Sequence, residues 1–104
     1  MAVESVGVTS FFERVLSSTV PVLVEFGAEW CPPCRAMQPV LAAVAAEHAG
    51  RARIYQVDVE AEPALAGRYG VRALPTLLFF DRGRVVAQLT GATPRARLEQ
   101  LLST

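Results

Sequence analysis

The chain has 104 residues, 52% hydrophobic and 19% charged, with ten acidic side chains balancing ten basic ones. That length builds one hydrophobic core and not two, so residues 1–104 read as a single globular domain. Zero net charge excludes the basic stripe of a nucleic-acid binder and the cationic patch of a membrane-surface protein.

The N-terminal stretch MAVESVGVTSFFERVLSS has neither a basic region nor an unbroken apolar core, so no signal peptide is expected. No apolar run approaches the ~18 residues of a membrane span. A soluble, cytoplasmic protein is therefore expected. Within this stretch, Ser10 with Glu13 three residues on predicts a capping box and a short helix to about Ser18. Residues 20–26 (VPVLVEF) form a valine-rich run broken only by Glu25, which predicts a strand covered on both faces.

From 32 to 49 the apolar spacing becomes helical, with Met37, Val40, Leu41, Val44 and His48 on one face and Gly50 as the stop. Pro39 inside this segment predicts a kink, since it removes a hydrogen bond and crowds the preceding turn. Residues 53–58 read as a strand and 61–69 as a short helix closed by Gly70. Two further strands, 76–80 (TLLFF) and 85–89 (VVAQL), flank a glycine-containing hairpin turn at 81–84. Thr93 and Pro94 then predict an N-cap and first helical residue for a last helix running to the end. The order βαβ followed by ββα implies an α/β fold, a mixed sheet with helices on both faces.

The chemistry concentrates in EWCPPCR, residues 29–35, which contains both cysteines and the single tryptophan. A closed tetrahedral zinc site takes four ligands, and two cysteines with one histidine, His48, do not supply them. In a reducing compartment a CxxC pair is also a poor structural staple. A redox couple fits better. Cys31 stands where a buried strand gives way to a helix, and unpaired N–H groups at a helix start favour a thiolate, the nucleophile of disulfide exchange. Cys34 follows one turn on, pointing inward, with Cys31 at the solvent-facing edge.

Three separated segments, VLVEFGAEWCPPCRAMQPVL, VRALPTLLFF and TGA at 90–92, resemble the thioredoxin family in order and spacing over essentially the whole chain. The resemblance implies a thioredoxin fold, with Cys31 as attacking nucleophile and Cys34 as resolving thiol. Pro75 would be a cis-proline facing the disulfide. Trp30, Pro32, Ala73, Leu74, Thr90, Gly91 and Ala92 would line a groove for substrate polypeptide, the Leu74 backbone pairing with an extended segment. Pro33 and Pro39 would be structural. No metal or organic cofactor is implied beyond the cysteine pair. The implied activity is reduction of disulfides in client proteins by a monomeric electron carrier recycled by a flavoprotein reductase. The alternatives are an oxidase or isomerase of the same fold, or a non-catalytic peptide-binding module.

Four positions depart from the family pattern. Pro32-Pro33 replaces Gly-Pro, which stiffens the approach to Cys31 and removes a donor; these act on the redox potential in opposite directions. Glu25 stands for a buried aspartate beneath the resolving cysteine and reads as its proton acceptor, with burial raising its pKa. Gly27 replaces a tryptophan and opens that side. Gln56 replaces a lysine that would keep the carboxylate ionised.

Overall fold

The computed structural model describes residues 3–103. In chain order it contains β1 (Glu4–Ser5), α1 (Val8–Phe11) running on into a π-helical turn at Phe12–Leu16, β2 (Val22–Gly27), α2 (Pro32–Glu47), β3 (Arg53–Asp58), α3 (Pro63–Arg68), β4 (Thr76–Asp81), β5 (Arg84–Thr90) and α4 (Arg95–Leu102). One mixed sheet is formed in the order β1-β3-β2-β4-β5. β1 and β2 flank β3 in parallel, while β4 pairs antiparallel with both β2 and β5.

Every residue of β2 is buried, which is why its sequence reads as a nearly continuous apolar run. Alternation along the strand divides its side chains between two cores. Val22, Val24 and Phe26 pack with Phe11, Val15, Leu65 and Phe80 on the α1–α3 side. Leu23 packs with Met37, Leu41, Val44 and Leu98 on the α2–α4 side. Tyr69 and Phe80 meet edge-to-face at 5.6 Å between ring centroids, part of a set of ring contacts in the first core.

The hairpin between β4 and β5 is built on Arg82 and Gly83, with φ of 52° and 83°. Two consecutive positive φ values give the primed turn whose twist suits a two-residue hairpin. A Cβ on Gly83 would also stand 2.6 Å from the Leu16 carbonyl oxygen, so only glycine fits.

Several boundaries differ from expectation. Ser10 is not an N-cap: α1 starts earlier, from Gly7, and the Ser10 hydroxyl reaches back to accept the Gly7 N–H at 3.1 Å. β2 starts at Val22 rather than 20 because the Ser18 hydroxyl donates to the Val20 carbonyl and accepts its N–H, holding a turn there. Thr93 does not cap α4 and Pro94 is not its first residue. The Thr93 hydroxyl donates to the Gly91 carbonyl at 3.1 Å, and Pro94, with ψ of 147°, is the extended residue before the helix. β1 was not foreseen; it exists only through its pairing with Tyr55 and Gln56.

Candidate active site

The two cysteines sit where β2 hands over to α2. Cys31 is the extended N-cap of α2, and Pro32 and Pro33 occupy the first two helical positions. Prolines carry no N–H, so the first backbone donor of this helix belongs to Cys34. That N–H points at the Cys31 sulfur, 3.3 Å away. The next, from Arg35, goes to the Cys31 carbonyl. The prolines thus leave a single helix donor for the Cys31 sulfur. Cys31 and Cys34 form a disulfide with Cα atoms 5.2 Å apart.

The expected contrast in exposure is absent: each cysteine is 3% exposed. Ala28, Val59 and Leu74 close around the pair, a cover supplied by distant segments of the chain. What distinguishes the sulfurs is their surroundings. Cys31 takes the helix donor, whereas Cys34 borders a cavity of about 900 Å³ shared with Glu25, Gly27, Gln38 and Gln56.

Glu25 is 2% exposed. Its Oε1 accepts a long hydrogen bond from the Gln38 amide at 3.5 Å, and its Oε2 has no partner among the described residues. Burial raises its pKa from 4.5 to about 7, since a carboxylate loses hydration there without gaining a cation. Gly27 brings this group and Cys34 together. A Cβ at position 27 would lie 3.0 Å from the Cys34 sulfur and 3.5 Å from the Glu25 carboxyl carbon, so the two groups flank the space a side chain would fill. Gln56 pairs with Glu25 in register, yet its amide donates to the Ser5 hydroxyl at 3.2 Å. The amide facing Glu25 comes instead from Gln38, which sequence reasoning passed over. Its position four residues after Cys34, on the same helix face, was the available signal.

The remaining candidates gather in part around the disulfide. Leu74 packs against the cysteine cluster, and the Leu74–Pro75 peptide is cis. The Pro75 carbonyl accepts the Gly91 N–H at 2.8 Å, and Thr90 pairs with Thr76, which ties the Thr90–Gly91–Ala92 segment to the cis-proline loop. Ala73, Thr90 and Ala92 are exposed, as are Pro32 and Pro33. Trp30 is 60% exposed and its indole N–H donates to Glu60 at 2.8 Å, so it is a fixed surface ring rather than core. Pro39 lies inside α2, which continues past it to Glu47. His48 is the C-cap of that helix, with Nε2 3.7 Å from the Glu99 carboxylate. Among the described residues no cluster of three or more metal-ligating side chains occurs, and no helix is long and apolar enough to cross a membrane.

A sequence model of the thioredoxin family matches residues 2–104. Thioredoxin from Porphyra purpurea is 38% identical over 103 residues, covering 99% of this chain and 96% of that protein. Thioredoxin 1 of Nostoc sp. is 40% identical over 94 residues, 90% of this chain and 88% of its own. Thioredoxin C-2 of Corynebacterium nephridii reaches 46% over 89 residues, 86% and 82% respectively. With a mixed five-stranded sheet and a Cys31–Cys34 disulfide at the head of α2, the chain belongs to the thioredoxin family and is a protein-disulfide oxidoreductase acting by dithiol–disulfide exchange.

Proposed function

We propose that the protein works as a disulfide reductase in which Cys31 attacks, Cys34 resolves and Glu25 carries the proton. The Cys31 thiolate attacks one sulfur of a client disulfide, forming a mixed disulfide and releasing the first client thiolate. Cys34 then gives its proton to the Glu25 carboxylate and attacks the Cys31 sulfur. The second client thiolate departs, the Cys31–Cys34 disulfide forms, and the proton leaves Glu25 for solvent or the client. A flavoprotein reductase returns two electrons and restores the dithiol, so the protein is an electron carrier. Trp30, Pro32, Ala73, Leu74, Pro75, Thr90, Gly91 and Ala92 form the groove for an extended client segment, with Pro33 and Pro39 holding the helix behind it. The protein acts as a cytoplasmic monomer.

The observation that carries this division of labour is the Cys34 N–H directed at the Cys31 sulfur at 3.3 Å. A donor aimed at a sulfur lowers its pKa and makes it both the better nucleophile at neutral pH and the better leaving group. Oε2 of Glu25 has no partner among the described residues, and the Glu25 carboxyl group and the Cys34 sulfur border the same space beside Gly27. The test is covalent trapping. Cys34→Ser incubated with a lysate is expected to hold clients as adducts visible on non-reducing gels, and Cys31→Ser to trap almost none. Equal trapping by both would overturn this division of roles, and trapping by Cys31→Ser alone would reverse it.

A further inference from the structure

We propose that Gln38 is a positioning residue for Glu25, holding one carboxyl oxygen, favouring the ionised carboxylate and leaving the other oxygen for the Cys34 proton. This rests on Glu25 being the proton acceptor and adds how its carboxylate is oriented and kept available without a neighbouring cation. Cys34 and Gln38 are four residues apart on α2 and so share a helix face. Both border the cavity that reaches Glu25, and Gln38 Nε2 lies 3.5 Å from Oε1 while Oε2 has no partner among the described residues.

The other polar groups of that cavity are engaged elsewhere. Gln56 donates to Ser5, and Arg35 donates to the Glu29 carbonyl at 3.0 Å. Glu4 pairs with Arg14, and Asp58 accepts the Glu60 N–H. Glu29 is exposed at the cavity rim. The amide of Gln38 is thus the donor in reach of Glu25. At 3.5 Å the contact suits a neutral carboxyl. Ionisation turns it into a charge-assisted hydrogen bond, which is shorter and about twice as strong. An uncharged donor of this kind stabilises the carboxylate by less than a lysine would, so Glu25 still titrates close to neutrality and can both take and release the proton.

The experiment follows Cys34 resolving a mixed disulfide between Cys31 and a coloured nitrothiobenzoate, in single turnover across pH. In the wild type the rate is expected to rise as Glu25 ionises. Gln38→Leu, similar in size but without a donor, should move that midpoint up by about one pH unit and slow release near pH 7 about fivefold, leaving the high-pH rate unchanged. Gln38→Lys should move the midpoint down. Glu25→Gln should lose this inflection altogether, keeping only the thiol's own titration. If Gln38→Leu and Gln38→Lys titrate like the wild type, or merely scale the rate at every pH, while Glu25→Gln loses the inflection, the Gln38 assignment is wrong and the Glu25 assignment stands. If Glu25→Gln titrates like the wild type, both fall.

Discussion

Phe26 and Glu25 are neighbours on β2 and point to opposite faces of one sheet. Phe26 is fully buried in a cluster with Phe11, Tyr69 and Phe80 on the α1–α3 side. Glu25 is nearly as buried on the α2 side, yet it borders a cavity shared with Cys34 and accepts a single long hydrogen bond. Both positions are almost wholly withdrawn from water, so burial alone does not tell a satisfied core residue from one with an unmet hydrogen-bonding need. What tells them apart is satisfaction. A buried phenyl ring has nothing left to pair, whereas a buried carboxyl oxygen without a partner is a standing cost that a purely structural position would not retain.

The two faces of β2 separate most clearly when the chemistry is removed and the packing left. Cys31→Ser is expected to abolish reduction of a disulfide-linked protein substrate, with the folded state retained by circular dichroism. Residual turnover above a few per cent would mean that the attacking sulfur lies elsewhere. The reverse change is Phe26→Ala. Truncating a fully buried phenylalanine should cost about 3–5 kcal/mol in denaturant unfolding. The rate per folded molecule should hold, since Phe26 faces away from the cysteines; a large fall in that rate would show that the two faces are coupled.

A smaller effect is expected at the head of α2. Pro32→Gly returns one backbone N–H to the first turn, which should lower the pKa of Cys31 by up to about one pH unit, read from thiolate absorbance. An unchanged or higher pKa would show that the added N–H does not reach the sulfur. The smallest effect belongs to Phe12, 70% exposed beside the buried Phe11. Phe12→Ser should change stability by no more than about 0.5 kcal/mol. A larger loss would mean that this outer face of the helix is covered in solution.

Much of this arrangement was legible in the chain, and the reasons are local. β2 and β4 are short, largely apolar runs of the kind a strand covered on both faces carries, and the glycine of the 81–84 turn permits a primed hairpin. The cysteine pair between a strand and a helix announces its chemistry by position. What stayed hidden depends on partners distant in sequence. β1 is two polar residues that become a strand only by lying against β3. Ser10 and Thr93 carry capping side chains, but the path of the backbone decides which residue precedes each helix. The closing of Ala28, Val59 and Leu74 over Cys31 brings together three separate segments, and the turn of Gln56 towards Ser5 requires β1 to be in place. Gln38 was missed for a related reason: a glutamine on an amphipathic helix looks like solvated surface until the carboxyl group opposite is located.

The claim that one face of β2 forgoes stability for chemistry is tested most directly by the pH dependence of folding in the oxidised protein. A carboxyl group whose pKa rises from 4.5 to about 7 on folding binds its proton more tightly in the folded state. Stability is therefore unaffected by this group below the unfolded value, falls between the two, and carries a constant cost of roughly 3 kcal/mol above the folded value. Glu25→Gln removes that titration. Denaturant unfolding of wild type and Glu25→Gln at pH 4 and pH 8 should show nearly equal stabilities at the lower pH and a variant more stable by about 3 kcal/mol at the higher. A gap that does not change with pH, or a variant less stable than the wild type at pH 8, would mean that the Glu25 carboxylate is paired and structural.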